Sequence, residues 1–130
     1  MGQEQEKYYY KEEAMELTPG KAFYQRQIAA LEAGDKDTLL TQYHPDAAIV
    51  GLDFAVKGHE PIGKHLEGYL EHLGALKVQS TDKFIEIEDA IFFEATITTN
   101  LGEARVYNVF LLRDEKATHH FTGLISLNPL

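Results

Sequence analysis

The stretch ARVYNVFLLRDE, residues 104–115, carries the pattern that decides the fold. Its apolar residues alternate, which predicts a long β-strand with one buried face. That face carries Ala104, Val106, Phe110 and Leu112. Asn108 lies in the middle of the same face, and a buried amide without hydrogen-bond partners costs about 1–3 kcal/mol. The strand therefore predicts either an internally bonded structural amide or the polar group of a pocket.

The segments around this strand predict an α+β fold. Period-two alternation indicates strands over 46–54, 77–88, 90–100, 103–113 and 118–127. Helical periodicity with capping signals indicates helices over 19–33, 36–43 and 57–74. Because the helices come first and a meander of strands comes last, we expect helices packed on one face of a curved antiparallel sheet.

The turns predict which residues flank Asn108. A two-residue turn at Leu101-Gly102 would place Ala95 opposite Asn108 on one neighbouring strand. An even-length turn around Glu115-Lys116 would place Gly123 opposite it on the other. Small residues on both sides leave volume above the sheet, and volume beside an amide is how a polar-tipped pocket is built.

Further side chains extend this predicted pocket. Gln27 lies inside the apolar stripe of the first helix, as a second amide in an apolar row. The predicted ligand-binding residues are Asn108, Gln27, Tyr24, Tyr69, Ala95 and Gly123. Such a pocket would suit a neutral, largely apolar ligand with a carbonyl or a hydroxyl group. The alternative, that Asn108 and the tyrosines are ordinary core residues, stays open at this point.

Two residues are candidate catalytic groups. Asp53 is placed near the mouth of the pocket and could accept a proton if partly desolvated, although a solvated loop aspartate is the alternative. His119 is predicted on the inner face at the rim, as an acid or base or simply as a histidine bonded to a carbonyl. No metal site is expected, since His65 and His72 are about 10.5 Å apart along one helix. No nucleotide or nucleophile motif suggests a cofactor.

Composition limits the partners. The chain has 130 residues, no cysteine and a net charge of −9, which argues against disulfides, nucleic acid and anionic membranes. Residues 1–17 form a charged lead with Tyr8-Tyr9-Tyr10 and resemble no signal peptide, so a cytoplasmic location is expected. Residues 18–130 are predicted to form a single domain.

The other face of the predicted sheet suggests a partner. Its residues are too apolar for open solvent and too polar for a core. They include Tyr107, Val109, Leu111 and Leu124. A face of this kind commonly meets a second copy of itself, so we expect a homodimer through the outer face of the sheet.

The order of these elements resembles a known family. The segments AFYQRQIAALEAGDKDTLLTQYHPDAAIV, VKGHEPIGKHLEGYL and VFLLRDEKAT resemble the SnoaL-like branch of the nuclear transport factor 2-like superfamily. Its markers here are Ala33-Gly34-Asp35, Tyr43 with Asp46-Ala47, and Gly58 with Ile62. The resemblance covers residues 20–127. It implies a cystatin-like cone of curved antiparallel sheet over three N-terminal helices, usually dimeric, with a pocket inside the cone.

This scaffold hosts many activities, so the resemblance leaves function open. The ionisable groups that ketosteroid isomerases of this fold use would fall at Gly51, Asn108 and Gln27, so that chemistry as such is not expected. Two function classes remain. The first is a protein with a small-molecule pocket, either a binder or an enzyme of the isomerase, cyclase or hydratase type. The second is a non-catalytic dimeric association module whose cone is filled by its own side chains.

Overall fold

The computed structural model describes residues 17–130. It contains three helices and six strands in an α+β arrangement, which confirms the predicted fold class. The helices are α1 (Pro19–Ala33), α2 (Lys36–Thr41) and α3 (His59–Leu73). The strands are β1 (Tyr43–Val50), β2 (Ala55–Lys57), β3 (Lys77–Ile87), β4 (Ala90–Thr99), β5 (Gly102–Arg113) and β6 (Lys116–Pro129). The predicted lead lies outside the described residues apart from Leu17, and so does Tyr8-Tyr9-Tyr10.

The strands form one sheet in the order β2-β1-β6-β5-β4-β3. Four of the five pairings are antiparallel, whereas β1 and β6 run parallel. The expectation of an entirely antiparallel sheet was therefore wrong at this pair. The predicted strand 46–54 also ends early, because the chain leaves β1 at Val50, and the short β2 that follows at Ala55–Lys57 was not predicted.

Helix α1 is fixed to the sheet at its first turn. Thr18 is the N-cap, and its hydroxyl accepts a hydrogen bond from the Lys21 N–H at 3.2 Å. The Glu86 carboxylate, at the end of β3, accepts from the Thr18 hydroxyl at 2.6 Å and from the Gly20 N–H at 2.9 Å. Gly34 ends the helix in the left-handed conformation that favours glycine, with a φ of 65°. These contacts set the position of α1, and with it the position of Gln27, over the inner face of the sheet.

The pairing of β5 differs from the predicted register. Asn108 lies opposite Phe93 on β4 and Thr122 on β6. The turn between β4 and β5 is centred on Asn100-Leu101, one residue earlier than predicted, so the pairing moves by two residues. Ala95 therefore pairs with Val106 instead of Asn108. A shift by two keeps every β4 side chain on its predicted face.

A bulge reverses the alternation in the middle of β6. Leu112 pairs with Ala117 but Leu111 pairs with His119, so Thr118 is the extra residue. Beyond it every side chain changes face, as expected when a strand slips by one residue. The predicted inward placement of His119 and Gly123 was wrong for this reason. The inner positions are held by His120, Thr122 and Leu124.

A second irregularity, between the pairs Val106–Leu124 and Arg105–Ser126, restores the original alternation. Leu124 was expected on the outer face and instead pairs with inward-facing Val106. Gly123 pairs with Tyr107 on the outer face, where a Cβ would lie 2.4 Å from the tyrosine ring. A larger residue at position 123 would therefore require the Tyr107 ring to move.

The hydrophobic core lies between the inner face of the sheet and the helices. Phe23 of α1 meets Phe110 of β5 edge to face, with ring centroids 4.8 Å apart. Its fully buried large side chains are Tyr43, Phe23, Phe110, Leu39, Ile49, Ile62 and Ile91. The core fills the closed end of the cone, and a cavity opens toward the other end.

The turn between β5 and β6 provides a stability test. Asp114 and Glu115 both have positive φ, at 54° and 65°. Such a turn favours glycine at its second position, because a Cβ is crowded in the left-handed region. We expect Glu115→Gly to raise the free energy of unfolding by about 0.5–1 kcal/mol in chemical denaturation. Glu115→Ala keeps the Cβ and should give no such gain. A less stable glycine variant would contradict this interpretation of the turn.

Candidate ligand-binding site

Two adjoining chambers lie inside the cone. The inner chamber, about 80 Å³, lies between α1 and the middle of the sheet and is lined by Gln27, Tyr43, Asn108 and His120 among others. The outer chamber, about 490 Å³, opens at the mouth and is lined mainly by apolar residues such as Leu52, Phe54, Leu73 and Leu127. Residues common to both form a throat: His65, Tyr69, Ile97, Val106 and Thr122.

A chain of hydrogen bonds forms the polar wall of the inner chamber. The Tyr43 hydroxyl is 2.9 Å from His120 Nδ1, and His120 Nε2 is 2.7 Å from Asn108 Oδ1. A carboxamide oxygen only accepts, so this arrangement places the imidazole proton on Nε2. His120 Nδ1 is then an acceptor, and the Tyr43 hydroxyl donates to it. Asn108 is thus the end of a polar chain that begins on β1.

Burial keeps this chain neutral. The His120 side chain lies inside the cone, with its ring stacked on Phe110 at 3.9 Å, and burial lowers its pKa to about 3, with a smaller contribution from His65. Burial also raises the pKa of the Tyr43 hydroxyl, and the neighbouring Gln27 carboxamide opposes that shift in part. At neutral pH the wall of the chamber therefore carries neutral polar groups.

Gln27 completes the wall from the helix side. It is only 4% exposed. Its Oε1 is the one fully buried side-chain nitrogen or oxygen within residues 17–130 that has no hydrogen-bond partner. A buried acceptor left unpaired typically costs about 1–3 kcal/mol. Buried polar atoms in folded proteins nearly always have a hydrogen-bond partner. Gln27 Oε1 is therefore an exception, and its side chain lines the inner chamber.

The predicted aromatic residues lie where they can contact a ligand. Tyr24 lines the inner chamber, with its ring 4.4 Å from that of Phe93 and its hydroxyl 2.5 Å from the Thr81 hydroxyl. Tyr69 lines the throat beside His65, whose ring stacks on Phe54 at 4.5 Å. Burial lowers the pKa of His65. The throat therefore has stacked aromatic rings on its helix side.

The remaining predicted site residues have different positions. Ala95 is buried and lines the inner chamber, although it is not opposite Asn108. Gly123 reaches only the wall of the outer chamber. Asp53 lies in the loop after β1, exposed at the mouth of the outer chamber.

His119 is not part of the cavity. It is exposed on the outer face, with its Nδ1 3.2 Å from the Thr118 hydroxyl. His120 was not predicted as a site residue, because alternation without a bulge places it on the outer face. Tyr43 was predicted only as a family marker. The tyrosine before the first strand was nevertheless a usable signal, since its hydroxyl needs a partner when the ring is buried.

Some classes of site are missing from the described part of the chain. Between Leu17 and Leu130, no three histidine or carboxylate side chains come together in an arrangement that would hold a metal ion. Over the same residues, no helix has both the length and the apolar character needed to cross a bilayer.

The chain matches a known protein family over most of its length. A model of the SnoaL-like domain matches residues 24–120, which include Gln27, Tyr43, Asn108 and His120. The chain belongs to the SnoaL-like domain family. A comparison of its sequence with curated proteins found no match.

Solved structures with the same fold are distant in sequence. An NTF2-like protein from Anabaena variabilis is 15% identical, with a TM-score of 0.75 over 83% of this SnoaL-like chain and 87% of the other. AclR from Streptomyces galilaeus, a hydroxylase candidate, is 17% identical, with a TM-score of 0.72 over 88% and 83%. TerC, co-crystallised with polyporic acid, is 20% identical, with a TM-score of 0.69 over 85% and 92%. At these identities the likeness establishes the fold.

The burial of neutral His120 predicts acid sensitivity. The pKa of His120 is about 3 in the folded protein and returns to about 6.5 in the unfolded chain. Between pH 6.5 and pH 3 the unfolded state therefore binds one more proton than the folded state. Stability should therefore fall as the pH is lowered, by about 2 kcal/mol between pH 7 and pH 5. Urea denaturation at several pH values measures this slope.

The control is an exposed histidine on another element. His120→Gln should lose most of the slope above pH 5, whatever its absolute stability, whereas His72→Gln should keep it because that ring is exposed on α3. An unchanged slope in His120→Gln would show that His120 titrates in the folded protein as it does in the unfolded chain.

Proposed function

We propose that this SnoaL-like protein binds a small, neutral, largely apolar ligand inside the cone. The observation that carries the proposal is the pair of adjoining chambers, with apolar walls at the mouth and a neutral hydrogen-bonded chain at the inner end. The outer chamber has a volume within the usual range for small-molecule sites, which is about 300–1,000 Å³. Apolar walls supply affinity and a few polar groups fix the orientation of the ligand.

The lining favours a neutral ligand over a charged one. No Asp, Glu, Lys or Arg within residues 17–130 lines the inner chamber, and Asp53 is the one such residue of the outer chamber. An ion brought into the inner chamber would lose its hydration without meeting an opposite charge. The co-crystallisation of TerC with polyporic acid is consistent with a cone that takes up an organic molecule.

Binding is better supported than catalysis of the isomerase, cyclase or hydratase type. Both ring nitrogens of His120 have hydrogen-bond partners, and burial keeps the ring neutral. A general acid or base needs a pKa near the working pH and a proton within reach of the ligand. Asp53 and His119 both lie away from the inner chamber. The alternative of a filled cone fits less well, because two adjoining chambers lie inside it.

A neutral fluorescent probe tests the proposed binding. N-phenyl-1-naphthylamine should gain fluorescence on entering the cavity, and Val106→Phe should abolish that gain by blocking the throat. Ser126→Phe is the control, since it adds the same ring on the outer face of the sheet, opposite Arg105. Equal fluorescence in both variants would place the probe outside the cone and contradict the proposal.

We also propose that the protein forms a homodimer through the outer face of the sheet. One row of apolar side chains crosses four paired strands on that face: Phe121, Val109, Phe92 and Ile85. A parallel row holds His119, Leu111, Ala90 and Ile87. Ile85 and Ile87 are 54% and 65% exposed, so this end of the face is unusually apolar for a monomer surface. A two-fold axis would bury the same rows from both copies.

Light scattering tests the dimer. Phe121→Glu places a charge in the apolar row and should give folded monomers at micromolar concentration. Ser126→Glu lies on the polar end of the same face, opposite Arg105, and should leave the dimer intact. A wild-type protein that is already monomeric at that concentration would overturn this proposal.

A further inference from the structure

The unpaired Gln27 oxygen has a specific cause in the hydrogen-bond chain. His120 Nε2 donates to Asn108, so His120 Nδ1 must accept, and the single proton of the Tyr43 hydroxyl is used there. The Tyr43 hydroxyl lies beside the Gln27 carboxamide but has no second proton to donate to Oε1. Gln27 Oε1 consequently remains buried without a donor.

No donor of the chamber is hydrogen-bonded to that oxygen. The lining includes the hydroxyls of Tyr69 and Thr122 and the amide of Asn108, yet Gln27 Oε1 has no partner among them. The side chain of Gln27 is more than nine-tenths buried and lines the cavity. A molecule that enters the inner chamber therefore meets a carboxamide oxygen that is already desolvated, so a new hydrogen bond there requires little further loss of water.

We propose that the ligand is a neutral alcohol, phenol or enol whose hydroxyl group donates a hydrogen bond to Gln27 Oε1. This inference rests on the proposed function and narrows its ligand class. The sequence predicted a ligand with either a carbonyl or a hydroxyl group, and Gln27 Oε1 favours the hydroxyl. In a ligand whose only polar group is a carbonyl or ether, the ligand oxygen would face Gln27 Oε1. Both oxygens are acceptors, so they would repel each other.

Other donors fit the chamber less well. An ammonium group could donate to Gln27 Oε1, but no carboxylate lines the inner chamber to balance its charge. A phenolate lacks the proton that Oε1 needs. The rings of Tyr24, Phe93 and Phe110 pack against one another and give the chamber an aromatic wall, which suits an apolar body behind the hydroxyl. A neutral hydroxyl compound with an apolar body satisfies the acceptor and the walls together.

Four naphthalenes of similar shape test the hydrogen-bond requirement. We expect 2-naphthol to displace N-phenyl-1-naphthylamine about tenfold more effectively than 2-methoxynaphthalene, 2-acetonaphthone or naphthalene, as one desolvated hydrogen bond would give. This advantage should disappear at a pH where the naphthol is ionised. The wild-type comparison needs no substitution and so cannot fail through misfolding.

Variants then assign the effect to Gln27. Gln27→Met is similar in length and removes the carboxamide oxygen, so 2-naphthol and 2-methoxynaphthalene should bind it equally. Gln27→Asn keeps the carboxamide but shortens the side chain by one methylene. This more conservative change should weaken the preference for 2-naphthol over 2-methoxynaphthalene. Gln79→Met, which changes an exposed glutamine on β3, should keep the wild-type preference.

The outcomes separate this inference from the proposed function. If the probe binds and all four naphthalenes compete equally, the cavity binds ligands but their hydroxyl groups do not donate to Gln27 Oε1. The inference is then wrong. A preference for 2-acetonaphthone would mean that Gln27 presents its Nε2 to the chamber, which also overturns it. If neither the probe nor any naphthalene binds, the proposed function itself fails.

Discussion

The hydrogen bond between His120 and Asn108 is the interaction on which the cavity depends. It requires the imidazole to face into the cone, and the imidazole faces inward because Thr118 is inserted as a bulge in β6. Without that extra residue His120 would lie on the outer face, and Asn108 and Tyr43 would lose their shared partner. A bulge beside a functional site commonly redirects one side chain in this way. One inserted residue thus determines which histidine belongs to the core.

The same interaction explains how a polar wall is tolerated inside an apolar cone. Three neutral groups satisfy one another in sequence, from the Tyr43 hydroxyl through the imidazole to the Asn108 oxygen. Burial suppresses the charged forms of both ionisable members. Such networks are stabilising when every member has a partner, and a single unsatisfied atom then stands out. Here that atom belongs to Gln27, on the helix that the Glu86 cap fixes to the sheet.

Much of this architecture could be predicted from the sequence. Helix α1 agreed with its Thr18-Pro19 and Gly34 signals, because local capping chemistry is strong and independent of distant contacts. Asn108 was placed on the inner face from alternation alone, and Gln27 from helical periodicity. The short β2 was missed, since three residues are too few for a periodic signal.

The wrong placements of His119 and Gly123 have one physical origin. Alternation predicts faces only while register is continuous, and a bulge leaves no mark in a row of polar and apolar residues. His119 and His120 are adjacent and identical in type, so their exchange could not be detected from composition or pattern. The parallel pairing of β1 with β6 was equally hidden, because it joins segments far apart in the chain.

That parallel pairing also affects how the protein folds. It joins Ile49 to His120 and Val50 to Phe121, so more than half of the chain must be present before the sheet can close. Bringing distant segments together carries a large entropic penalty and makes such contacts form late. On the ribosome, the helices and the β3–β4 hairpin can form while the cone is still open. The inner chamber then comes into existence only with the last strand, so a nascent chain has no pocket to fill until synthesis has passed β6.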